Sequence, residues 1–226
     1  MSEQQPNEPM SFSRFADWCR NIDSLSEGAK HTVEVLLKRA GTDDAEAAER
    51  ILSSITELHF GYTEITDISS LASLTNLTTL SLEGRGITDI SSLGSLTNLT
   101  TLNLHYTGIT DFSSLGSLTN LTKLYLCDNL TDISSLGSLT NLTTLNLQIN
   151  HIFIDFSFLG SLTNLTELQI KSSRITDIRF LGSLTNLTKL SLFCNQINNL
   201  SLLDSLTNSL TNLTELNLGA NWCPKF

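Results

Sequence analysis

A chain of 226 residues with 40% hydrophobic content has the size and make-up of a globular protein. Its formal net charge of -10 leaves no basic surface on the scale needed to neutralise a run of phosphates, so nucleic acid is not an expected partner. No apolar run reaches membrane-spanning length, and the four cysteines (Cys19, Cys127, Cys194, Cys223) are scattered without a C-x-x-C pair, which suits reduced thiols better than a disulfide framework.

In chain order, residues 1–10 ("MSEQQPNEPM") form a polar tail without the basic flank or apolar core of a secretory signal. With the scattered thiols this predicts a cytoplasmic protein; the alternative is a secreted one whose leader has been removed. Residues 11–54 carry helix-type spacing: Phe12, Phe15 and Trp18 in a first helix, Val33, Val35, Leu36 and Leu37 in a second, Ala45, Ala48, Ile51 and Leu52 in a third. Gly41 ends the second, and Thr42 or Asp43 is expected to cap the third.

From residue 55 to 222 the chain repeats. "SLTNLT" begins at Ser73, Ser95, Ser117, Ser138, Ser161, Ser183 and Ser209, a 22-residue unit with small slips and a stutter ("SLTNSLTN") before the last copy. "ITELHF" at Ile55 to Phe60 starts a more divergent eighth unit. Each unit holds L-x-x-L-x-L, as in Leu99, Leu102 and Leu104, whose final alternation marks a short strand with one face buried. Asp67, Asp89, Asp111, Asp132, Asp155 and Asp177 each precede a "D-x-S-S-L" type stretch, where a carboxylate can accept from the amides opening a helical turn. An unrepeated helical segment before a repeat array is expected to shield the array's apolar end. Residues 223–226 are a short tail.

"LTNLTxLxLxxNxITDISSL" resembles the leucine-rich repeat of the 22-residue bacterial class seen in internalins. The resemblance implies an α/β solenoid: a right-handed horseshoe with one parallel strand per repeat on the concave face and 3-10 or irregular segments on the convex one. It also implies a buried ladder asparagine after each strand. That position reads Thr63, Arg85, Thr107, Asn129, Asn150, Ser173, Asn195 and Asn221. A guanidinium is too costly to bury unpaired, so Arg85 is expected to turn outward and distort its coil.

The constant phrase builds coils, whereas the residues after it differ in every unit. All three tyrosines, Tyr62, Tyr106 and Tyr125, fall there with Phe193 and Trp222, and exposed aromatics among polar neighbours suit protein recognition. His105, Cys127, Gln148, His151, Gln169, Lys123, Lys171, Arg174 and Lys189 complete the expected concave site. Its cations gather in later coils, while Glu57, Glu64 and Glu83 lie in early ones, a polarity that would orient an elongated partner. Eight strands make a trough roughly 35 Å long, fit for a protein face or extended peptide.

Phe158, Phe180 and Leu202 replace serines of earlier units and mark a second, convex apolar stripe, read either as stacked into the loop core or as an exposed patch. His105 beside Cys127 is the start of a thiol nucleophile, but no third group or oxyanion donor accompanies it. The reading is a non-catalytic protein-binding module without metal or cofactor. The alternatives are an internalin-like surface or secreted adhesin and a thiol-dependent enzyme on Cys127 and His105. The C-terminal end has only Trp222 and Phe226 as a lid, so a homodimer through that end is a further expectation.

Overall fold

The computed structural model describes residues 12–61, 65–128, 132–149, 154–171, 175, 177–193, 195, 197 and 208–219. Tyr62, His151, Arg174, Leu202 and Trp222, named above, lie outside them, as do Thr63, Glu64, Asn129, Asn150, Ser173 and Asn221.

The helical segment comes first: α1 (Phe15–Arg20), α2 (Glu27–Ala40) and α3 (Ala45–Leu52). Ser26 caps α2, its hydroxyl accepting from Ala29 N at 3.1 Å, and Gly41 closes it in the left-handed conformation at φ 70°. The cap of α3 is Asp44, accepting from Ala47 N at 2.7 Å, and not Thr42 or Asp43. Thr42 instead accepts from the Asp44 amide at 3.1 Å and holds the entry turn. Trp18 donates its indole N–H to Phe12 O at 3.0 Å, so a large apolar ring is buried without an orphaned donor.

Then follow eight described strands in one parallel sheet of order β1 to β8: Glu57–Phe60, Thr79–Glu83, Thr101–His105, Lys123–Asp128, Thr144–Ile149, Glu167–Lys171, Lys189–Ser191 and Glu215–Asn217. Between them run 3-10 turns at Ser69–Ser73, Ser91–Ser95, Ser113–Ser117, Ser134–Ser138, Ser157–Ser161 and Arg179–Ser183. The register is a shift of one repeat: Leu80 lies beside Leu102, Leu102 beside Leu124, Leu124 beside Leu145. Inward leucines therefore stack in columns, and one apolar cluster runs from Trp18 and Leu36 in the helices to Leu190 and Ile197. This is the expected solenoid, with 3-10 turns opposite the strands.

The polar letters of the constant phrase bind each coil to the one before it. Thr78, Thr100, Thr122, Thr143, Thr166, Thr188 and Thr214 each direct both an amide and a hydroxyl to the carbonyl of the corresponding threonine one repeat earlier; for Thr100 to Thr78 the distances are 2.8 and 3.1 Å. The asparagine of "TNL" does the same from the side, Asn98 Nδ2 donating to Thr75 O at 2.9 Å and Asn120 Nδ2 to Thr97 O at 2.9 Å. A buried or half-buried backbone carbonyl must find a donor, and these side chains supply it at every coil.

The six aspartates act as expected. Each carboxylate accepts from the backbone amide two residues on, at 2.8 to 3.0 Å, opening the following 3-10 turn. Asn195 fills the ladder role that the resemblance implied, buried and donating to Ile170 O at 2.9 Å. Arg85 is exposed, which spares its guanidinium from unpaired burial.

The helices dock on the first coil through complementary contacts. Ser26 Oγ donates to Asp67 Oδ2 at 3.0 Å, and Thr32 Oγ1, fully buried, sits 2.6 Å from Asp67 O. At Gly28 any Cβ would stand 2.5 Å from Thr66 Oγ1, so the glycine is what lets α2 approach so closely.

Candidate functional site

Strand alternation sends every second side chain outward, and the parallel register lines these up in three rows across the sheet. The first row reads Glu57, Thr79, Thr101, Lys123, Thr144, Glu167, Lys189, Glu215. In the second, Asn103, Tyr125, Asn146 and Gln169 are consecutive, so side-chain amides flank the tyrosine. The third brings His105, Cys127, Gln148 and Lys171 side by side. An open groove of about 620 Å³ lies over β4 to β8, with Tyr125, Asn146, Gln169 and Lys189 among its lining residues.

Lys123 and Gln169 are exposed; Tyr125, Gln148, Lys171 and Phe193 are half-buried. Lys171 Nζ stands 6.0 Å from the centroid of the Phe193 ring, at the limit of a cation–π contact. Tyr106 is 47% exposed and takes φ 54°, a conformation that side chains with a Cβ seldom adopt. Its ring stands edge-on to His105, centroids 6.1 Å apart, and its amide donates to Cys127 O at 3.1 Å.

Two expectations need correction, and one left open between two readings is decided. Cys127 does lie beside His105 in register, but only 5% of it is exposed, so it contributes little contact surface; the larger His105 and Gln148 flank it in the same row. The charge does not divide cleanly between early and late coils. Glu167 and Glu215 share the first row with Lys189, whose ammonium is 3.2 Å from the former and 3.9 Å from the latter. Hydrogen bonding to Glu167, then the two negative charges, raise the Lys189 pKa above its ordinary value. Finally, Phe180 is buried at 9% exposure and Phe158 is half-buried, both near Phe156 with centroids 6.4 and 6.5 Å away; they stack into the loop core and do not form an exposed patch.

Sequence reasoning missed the threonine and asparagine ladders, although their signal was present: the same polar letters recur at one-repeat offset in every unit. It also missed Asn103, whose Oδ1 is shut off from solvent with no hydrogen-bond partner beside Tyr125. Among the described residues, no three His, Cys, Asp or Glu side chains converge as a metal site, and no helix is long and apolar enough to cross a membrane.

The family described as Leucine Rich repeats (2 copies) matches residues 53–95, 97–137 and 119–161. Among solved structures, internalin C2 (inlC2) from Listeria monocytogenes is 29% identical with a TM-score of 0.65, over 82% of this chain and 91% of that one. Internalin inlF from the same species is 29% identical at a TM-score of 0.50, over 85% and 69%. The functional domain of InlJ, also from Listeria monocytogenes and including a cysteine ladder, is 27% identical at a TM-score of 0.61; it covers 94% of this chain, which spans only 44% of that structure. No curated protein matches the chain. With its 22-residue period, its one parallel strand per repeat and these likenesses, the chain carries leucine-rich repeats in a solenoid similar to those of the internalins.

Proposed function

We propose that the chain is a non-catalytic protein-interaction module whose outward sheet face, together with the turn after each strand, holds a protein or an extended peptide. Tyr106 carries this reading. It takes φ 54°, a left-handed conformation in which glycine is the unstrained choice, so a bulky residue stands in a costly backbone region. A residue held in that region costs of order 1–3 kcal/mol, and such strain clusters at functional positions. An exposed tyrosine there, its ring edge-on to His105, has the make-up of a contact hot spot. The internalin-like class supports a binding role in general.

The site in this reading comprises Tyr106, Lys123, Tyr125, Gln148, Gln169, Lys171, Lys189 and Phe193, with Tyr62, His151, Arg174 and Trp222 as candidates outside the described residues. The working compartment is proposed to be the cytoplasm, a setting that suits the thiols of Cys19 and Cys127. A photo-crosslinking amino acid placed at Gln169 should link the partner, and the same group at Ser157 on the opposite side should not. Equal linking from both positions would remove the sheet face as the binding surface.

A second reading has its own observation. Leu216 occupies the inward position of β8 yet is 51% exposed, whereas its counterpart Leu190 on β7 is 2% exposed. An apolar side chain at the end of the column favours a second copy covering that end. Light scattering should then give twice the monomer mass at micromolar concentration, with Leu216→Lys reverting it; a monomer at every concentration would exclude the dimer.

A further inference from the structure

We infer that the segment held over the centre of the sheet is an extended acidic stretch of another protein, anchored through carboxylates on Lys123 and Lys171; this rests on the outward face being the binding surface. Five charged side chains project from β4 to β8 on that face: Lys123, Glu167, Lys171, Lys189 and Glu215. Lys189 lies between Glu167 and Glu215, 3.2 and 3.9 Å from their carboxylates, so its own charge is fully engaged and the trio carries one net negative charge. Among the described residues neither Lys123 nor Lys171 pairs with a carboxylate, so these two ammonium groups are the uncompensated charges over the sheet centre. That is an unusual local balance for a chain of net charge -10.

Between the two lysines lie only neutral polar groups and an aromatic ring. Tyr125, Asn146, Gln148 and Gln169 fill the diagonal from Lys123 on β4 to Lys171 on β6. Primary amides both donate and accept, so they can pair an extended backbone, and the tyrosine offers a flat contact. Two strand spacings and four residues separate the lysines, about 16 Å in Cα position, a span that about five residues of extended chain would cover. The occupant is thus a segment with two carboxylates about five residues apart and small or polar residues between. Its acidity should be confined to that stretch, because Glu83 on β2 and Glu57 on β1 would repel carboxylates continuing toward the helical end.

The test uses the full chain and three fluorescein-labelled 12-residue peptides of one sequence, carrying at two positions five apart either Glu, Gln or Lys, with anisotropy read at low and at physiological salt. The Glu peptide should bind about tenfold tighter than the Gln peptide, as one well-placed charge pair allows, and the Lys peptide should not bind. The Lys123→Gln/Lys171→Gln variant should erase the difference, and Lys123→Glu/Lys171→Glu should invert it toward the Lys peptide. Equal binding of the Glu and Gln peptides, preference for Lys, or no binding of any peptide would overturn the acidic-segment assignment. Tyr125→Ala separates the two levels: weaker binding of whichever peptide is held keeps the outward face while the charge class stands or falls alone. Unchanged binding on Tyr125→Ala removes the face, and this inference with it.

Discussion

Thr100 directs both its amide and its hydroxyl onto the same acceptor, the carbonyl oxygen of Thr78, at 2.8 and 3.1 Å. The backbone bond would survive a change of side chain, but the hydroxyl bond would not. Thr100→Val keeps the shape and removes one half-buried hydrogen bond, so it should lower stability by about 1 kcal/mol, read as a fall in Tm of a few degrees. Because coils interact with their neighbours only, the same change at the exposed Thr214 of the last described coil should cost less.

Tyr106 at φ 54° offers a direct test of stored strain. Tyr106→Gly should raise stability by about 0.5–1 kcal/mol while weakening partner binding, because glycine takes that backbone region freely. Tyr106→Ala should weaken binding without the gain, since alanine keeps the Cβ that makes the conformation costly. Paired denaturation curves of the two variants isolate the backbone contribution from the side-chain one.

Acid should loosen the turns before it affects the sheet. The Asp177 carboxyl is held down to about 2, first by the Arg179 side chain and then by the Arg179 amide. Amide and hydroxyl donors on Ser113 and Ser134 likewise lower Asp111 and Asp132 below their usual range. A carboxyl with a lower pKa in the folded state binds fewer protons there than when unfolded. Its contribution is therefore complete above the ordinary aspartate value of 3.8 and is lost as pH falls through the folded value. Tm should hold steady down to about pH 4 and then fall toward pH 2, with a shallower fall in Asp177→Asn. All three groups are solvent-exposed, so the slope should also diminish in high salt.

Thiol chemistry separates the binding reading from a thiol enzyme. Burial pushes the Cys19 thiol up to about 11, and Cys127 is only 5% exposed. Both should react with iodoacetamide at pH 8 far more slowly in the folded chain than in urea, as site-resolved mass spectrometry would record. Rapid, selective labelling of Cys127 near neutral pH would instead support a nucleophile paired with His105.

The scaffold was legible in the sequence because its causes are periodic. Leu102 and Leu104 recur with partners 22 residues away, and Asp111 recurs with an amide two residues on, so one unit reads for all. The candidate face was less legible, because its properties arise between units. Cys127 alternates outward by the strand rule, yet it is only 5% exposed between His105 and Gln148, neighbours that register and not spacing sets beside it. Lys189 reads as a free cation until Glu167 and Glu215 are placed on either side of it, 22 residues before and 26 after, across the stutter. The cap of α3 is Asp44 and not its neighbour Asp43, because one residue of phase decides which carboxylate meets the first free amide. The positive φ at Tyr106 has no letter in the sequence that announces it.

The central claim is that the outward sheet face is the working surface. It is tested most directly by comparing retention of cellular proteins on the wild type and on Tyr106→Ala/Tyr125→Ala/Phe193→Ala, with matched circular dichroism and Tm, and with Ser157→Ala/Arg179→Ala on the opposite side as control. A partner kept by the wild type and the control but lost by the triple variant is the predicted result. Retention of the same partner by the triple variant, with loss in the control, would contradict it.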